Sequence, residues 1–98
     1  MPHINVEAAG DDRYRVTVEH GGTSTTHLVA AGAGVLEDLS VARADPVQVV
    51  RESFVFLLER EPASSILREF SLDVIPRYFP EYRSELPRRL GVRDETKP

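Results

Sequence analysis

The sequence predicts an α+β fold: a three-stranded antiparallel β-meander packed against one main helix, followed by short C-terminal helices. Three observations carry this. Residues 3 to 31 alternate apolar and polar side chains, with breaks at Gly10-Asp11-Asp12 and Gly21-Gly22. Residues 45 to 60 carry the start signal and apolar spacing of a helix. Residues 62 to 87 hold short apolar segments punctuated by Pro62, Pro76, Pro80 and Pro87.

In the first region, Ile4, Val6 and Ala8 alternate with polar neighbours, and Tyr14, Val16 and Val18 alternate with Arg13, Arg15, Thr17 and Glu19. A period of two places each apolar set on one side of a strand and leaves the other side wet. Gly21-Gly22 breaks the second strand, and a third returns over Thr25 to Ala31. Short turns between consecutive strands make the three a meander. Gly32-Ala33-Gly34 then leads into a short helix around Val35 to Leu39. Glu37 stands where a dinucleotide loop would need its third glycine, so the G-x-G reads as a connection.

Asp45 is the expected cap of the main helix, with Pro46 at the first position, where no amide is needed, and Gln48 three residues on. Val47, Val50, Phe54, Leu57 and Leu58 gather on one face, and Val49, Val55 and Phe56 widen it. A helix apolar over so much of its circumference needs the sheet on one side and the C-terminal helices on the other. Beyond Pro62, Ser64 or Ser65 caps a short helix through Phe70, with Ile66, Leu67 and Phe70 on its buried face. Asp73 caps a third segment and leaves Pro76 in its first turn; a kink follows at Phe79-Pro80, then one or two further turns through Leu86, and Pro87 ends the ordered structure or nearly so. Residues 1 to 90 form a single domain and residues 91 to 98 a flexible tail.

The block from Phe56 to Tyr82 reads FLLEREP, then SSIL, then an F-x-L-x-x-I phrase at Phe70, Leu72 and Ile75, then YFPEY at Tyr78 to Tyr82. It resembles a group of small uncharacterised bacterial proteins with similar C-terminal wording. The resemblance implies a compact α+β protein and brings no activity and no functional residue with it.

The chain has no cysteine, which removes disulfides, thiolate nucleophiles and thiolate metal sites. No apolar run approaches the roughly 20 residues that span a bilayer, and no signal-peptide pattern opens the chain, so a cytoplasmic protein is expected. The net charge of −4 argues against nucleic-acid binding by overall electrostatics. Its distribution is uneven: residues 1 to 61 hold ten acidic and five basic side chains, whereas Arg77, Arg83, Arg88, Arg89 and Arg93 face only Glu81 and Glu85 near the C-terminus.

Chemistry is sparse. His20 and His27 flank the Gly21-Gly22 turn, and whether they meet depends on register. A two-residue loop pairs Val16 with His27 and separates the two rings, a three-residue loop puts them on opposite faces, and only a four-residue loop brings them to a diagonal of roughly 7 Å. They are therefore read as surface histidines, and neither metal nor cofactor is expected. No serine lies in a G-x-S-x-G or S-x-x-K arrangement, and Glu37-Asp38 and Glu59/Glu61 read as solvated carboxylates. The remaining candidate is an interaction surface of Arg77, Tyr78, Tyr82 and Arg83, aromatic and arginine residues of the kind enriched at binding hot spots. Against it stands core packing by Phe79 and one tyrosine beneath the kink.

The expected function is a non-catalytic protein-interaction or regulatory module that binds a protein partner or a second copy of itself, with no membrane contact. It would act through this surface or through an edge of the meander. The alternative is a nucleic-acid-associated regulator using Arg77, Arg83, Arg88 and Arg89.

Overall fold

The structure, a computed structural model, describes residues 3–91. The expected flexible tail therefore lies, apart from Gly91, outside the described residues. Three strands, β1 (His3–Ala8), β2 (Arg13–His20) and β3 (Thr23–Ala30), form the antiparallel meander. Gly21 and Gly22 both have positive φ, at 58° and 82°. That is the two-residue turn whose twist matches the flanking strands and which needs residues free to enter the left-handed region. It fixes the register: Val16 lies opposite His27, and His20 opposite Thr23. Val6, Val16, Val18, His27 and Val29 are buried on one face, while Glu7, Arg15, Glu19 and Thr26 stand in solvent on the other.

A fourth strand, β4 (Glu69–Ser71), runs parallel to β3 and completes a mixed sheet in the order β1-β2-β3-β4. This corrects the helix expected from Ser64 to Phe70. Only a single 3-10 turn forms there, at Ala63–Ser65, before the chain extends. Serines can cap a turn, but the unpaired rim of β3 offered more: the Leu28 amide donates to the Arg68 carbonyl at 2.7 Å and the His27 ring donates to the Leu67 carbonyl at 2.8 Å. Extension also turns Leu67 outward, 53% exposed rather than buried beside Ile66.

Helix α1 (Ala33–Asp38) and helix α2 (Pro46–Leu58) form the crossover from β3 to β4. α1 ends in a Schellman motif: the Val41 amide donates to the Leu36 carbonyl and the Ser40 amide to the Glu37 carbonyl, with Ser40 at φ 63°. α2 starts as the sequence predicts, with Asp45 accepting from the Val47 amide at 3.0 Å and Pro46 in the first turn. Its Val49, Val50, Phe54, Phe56 and Leu57 are all buried, covered on one side by the sheet and on the other by the C-terminal helices.

A 3-10 turn at Leu72–Val74 leads into α3 (Ile75–Tyr78). Ser71 is the extended residue at its head, and Asp73 sits inside the turn instead of capping it. The tighter turn lets a new α-helical start form at Ile75, so Pro76 still falls where its missing amide costs nothing. Phe79 is driven out of helix by Pro80, to φ −132° and ψ 85°, and α4 (Tyr82–Arg89) follows the kink. Pro87 lies within α4 and does not end it. The helix runs two residues further and stops at Gly91, φ 71°.

Candidate interaction surface

The kink at Phe79-Pro80 separates two tyrosines that are close in sequence. Tyr82, at the start of α4, is fully buried, with its ring 5.1 Å from that of Phe56. Its hydroxyl lies 2.6 Å from Ser53 Oγ, which in turn donates to the Val49 carbonyl at 2.7 Å. Because the serine proton is committed to that carbonyl, the tyrosine hydroxyl is the donor of the pair. Burial pushes the Tyr82 phenol well above its ordinary value of 10.0, opposed only by the Ser53 hydrogen bond. Tyr82 is thus part of the core and is withdrawn from the expected surface. Phe79 joins it, half-buried and edge-on to Phe56 at 6.1 Å.

Arg83 is exposed but occupied. It donates to the Asp38 carbonyl and carboxylate, both at 3.2 Å, and so ties α4 to the C-terminal end of α1, where a positive charge is favoured. Arg89 donates to both carboxylate oxygens of Glu59, at 2.7 and 2.9 Å, and to Glu85 at 3.3 Å. Arg60 bonds Glu81 at 3.0 Å and lies 3.6 Å above the centre of the Phe56 ring. Arg88 faces Glu85 at 3.7 Å. The hydrogen bond from Arg89, followed by its charge and then by Arg60, holds the Glu59 carboxyl below its ordinary value. The same is true of Glu81, through its own backbone amide first and Arg60 second. The arginines that looked like a basic end in the sequence are thus mostly matched by carboxylates in space. Arg77 differs: it is exposed and has no ion-pair partner among the described residues.

Tyr78, next to Arg77 on α3, is 68% exposed. Together with Leu67 it walls a groove of about 220 Å³ whose deepest residues are Leu57, Ile66 and Ile75, each buried. Phe70, Val74 and Phe79 complete the apolar lining, and Glu61 and Ser65 supply the polar edge. Leu67 and Tyr78 are the two large hydrophobic side chains left exposed among the described residues, and both stand on this one groove. The sequence placed Tyr78 here but assigned Ile66, Leu67 and Phe70 to the interior face of a helix. Only the sheet pairing of β4 reveals the groove.

The histidines follow from the hairpin register. His20 is exposed, and His27 is 2% exposed against Phe54, ring centres 5.2 Å apart. His27 is therefore interior, where the sequence suggested a surface residue. A carbonyl can only accept, so Nδ1 carries a proton toward Leu67, while Nε2 shares a hydrogen bond with the Thr25 hydroxyl at 2.9 Å. Both ring nitrogens are engaged, which leaves none for a ligand. Among the described residues no three histidine or carboxylate side chains converge on a metal position. A second cleft, of about 390 Å³, brings His20, Glu61 and Ser64 near one another at the hairpin end, but no hydrogen bond joins them into a proton relay. Among the described residues no helix is long and apolar enough to cross a membrane. No family model, curated protein or solved structure matches the chain, so its functional reading rests on the geometry of the groove.

Proposed function

We propose that this chain is a small cytoplasmic, non-catalytic protein-interaction module. Its groove takes an apolar side chain from a short segment of a partner protein. One observation carries the reading: the two large hydrophobic residues exposed among the described residues, Leu67 and Tyr78, wall the same apolar depression. Single exposed apolar residues are ordinary, but two converging on one groove mark a surface that gains by being covered. The groove is smaller than the roughly 300–1,000 Å³ of pockets for drug-sized ligands, a size that suits one or two side chains of a peptide. Arg77 beside Tyr78 favours a carboxylate flanking that anchor.

The test is selection of a random peptide library on the immobilised protein. Enriched sequences are expected to place a leucine, phenylalanine or tryptophan beside an acidic residue. Their binding should fall about tenfold or more in Tyr78→Ala and in Leu67→Ser. Selected peptides that bind both variants as tightly as the parent would overturn the assignment.

A further inference from the structure

The two edges of the sheet are treated differently by the fold. The β3 edge is covered along Leu28–Ala30 by β4, whereas β1 is the outermost strand and nothing among the described residues pairs with its outer side. Its six residues pair with β2 without a bulge, and they include no proline or lysine, so the usual devices that discourage edge pairing are missing. The direction of the free groups follows from the ladder. The Ala9 amide donates to the Arg13 carbonyl on β2, and alternation then turns Glu7, Asn5 and His3 toward β2 and the main-chain groups of Ile4, Val6 and Ala8 outward.

From this edge we infer that the protein forms a two-fold symmetric dimer by antiparallel pairing of β1 with β1 of a second copy. A second copy is the occupant because the strand is complementary to itself. Pairing must place Ile4 and Val6 on the buried face of both copies, so only registers that shift by two residues are available. With Asn5 on the two-fold axis, His3 lies opposite the partner's Glu7 and Ile4 opposite the partner's Val6. Moving the axis to Glu7 would set like charges face to face, and moving it to Val6 or Ile4 would remove the His3–Glu7 pairing. The neighbouring strand extends the pattern, since Arg15 already reaches Glu7 at 3.7 Å and Glu19 lies opposite His3. Across the dimer, a row of Arg15, Glu7, the partner's His3 and the partner's Glu19 alternates in side-chain type from basic to acidic. Ile4 and Val6 of each copy exchange main-chain hydrogen bonds, and the half-buried Ile4 gains cover. A single strand pair buries less than the roughly 1,200 Å² of a tight complex, so the dimer is reversible, with dissociation in the micromolar range or weaker.

Sedimentation equilibrium from about 10 μM to about 1 mM, with amide spectra over the same range, tests the inference. The parent is expected to shift from monomer to dimer mass, with concentration-dependent shifts at His3 to Ala8. Asn5 is exposed on the wet face, so its replacement leaves the fold intact. On the axis it faces its own copy, and therefore both Asn5→Lys and Asn5→Asp should weaken the dimer about tenfold, while Asn5→Thr keeps it. A parent that stays monomeric throughout would overturn the dimer. An Asn5→Lys variant that associates as well as or better than the parent would overturn the register, because a Val6-centred pairing sets residue 5 opposite Glu7.

Discussion

Tyr82 and Tyr78 show how one proline decides the role of two like side chains. Had α3 continued through residue 82, the tyrosines would stand four positions apart on one helix face. Pro80 breaks the helix at Phe79, and the chain re-enters with Tyr82 aimed at Ser53 and Phe56. Removing the hydroxyl in Tyr82→Phe leaves Ser53 bonded to Val49 but deletes a buried donor pair. We expect a loss of about 1–1.5 kcal/mol in urea unfolding with little change in the amide spectrum. The buried phenol also sets an alkaline limit. Its folded value is raised above the ordinary 10.0, so its contribution is fully present below pH 10, where both states keep the proton. As pH rises beyond that, the unfolded chain releases a proton that the folded chain holds, and stability falls by up to about 1.4 kcal/mol per pH unit. Unfolding midpoints between about pH 8 and about pH 11 check this, with Tyr82→Phe expected to flatten the decline.

His27 links the residue to the element. Its Nδ1–H holds the Leu67 carbonyl beside β3, next to the Leu28 amide bond to Arg68, and together these fasten the incoming β4. Replacing it with leucine would keep the apolar contact to Phe54 but orphan that carbonyl. His27→Leu should cost about 1–3 kcal/mol and raise amide exchange across Leu28 to Ala30 ahead of the rest of the sheet. Helix α1 offers a change in the other direction. Ser40 occupies the left-handed position of its Schellman motif, where glycine is free of strain, so Ser40→Gly should raise stability by about 0.5–1 kcal/mol in thermal unfolding.

These elements also show what the sequence could and could not reveal. The hairpin, the cap and extent of α2, the short α1 and the Phe79-Pro80 kink are all governed by local rules, in which a glycine pair, an aspartate before a proline or a proline after an aromatic acts on its immediate neighbours. β4 is governed by a strand distant in sequence. Ile66 to Ser71 carries no local cue that outweighs two preceding serines, and the β3 edge that draws it out is visible only once the meander is built. The error carried to the site: Leu67, assigned to a core, became one wall of the groove, whereas the core packing weighed for Phe79 and one tyrosine beneath the kink is what forms, and it takes Tyr82 out of the candidate surface.

At the scale of the whole molecule, charge and apolar surface are sorted. Carboxylates of α1, α2 and α4 quench Arg60, Arg83, Arg88 and Arg89, tying the helices to one another. Glu59 and Glu81 sit below the ordinary carboxylate value of 4.5, so their contribution is present above that pH and is lost as pH falls through their folded values. Because these pairs are exposed, the acid-side decline should be small and should shrink further in about 0.5 M salt, as urea midpoints at about pH 6 and about pH 3 will report. Among the described residues Arg51, Arg68 and Arg77 are left without a carboxylate partner, and of these Arg77 is the exposed neighbour of Tyr78 on the groove wall.

The measurement that bears most directly on the groove is an amide shift map of the labelled protein, titrated with a peptide selected on it. Shifts and line broadening are expected to be confined to Ile66 to Phe70, Val74 to Phe79 and Leu57, and to be abolished by Tyr78→Ala. Shifts centred on the His20–Ser64 cleft or spread along the Arg83 to Arg89 face, with the groove residues unmoved, would contradict the groove assignment.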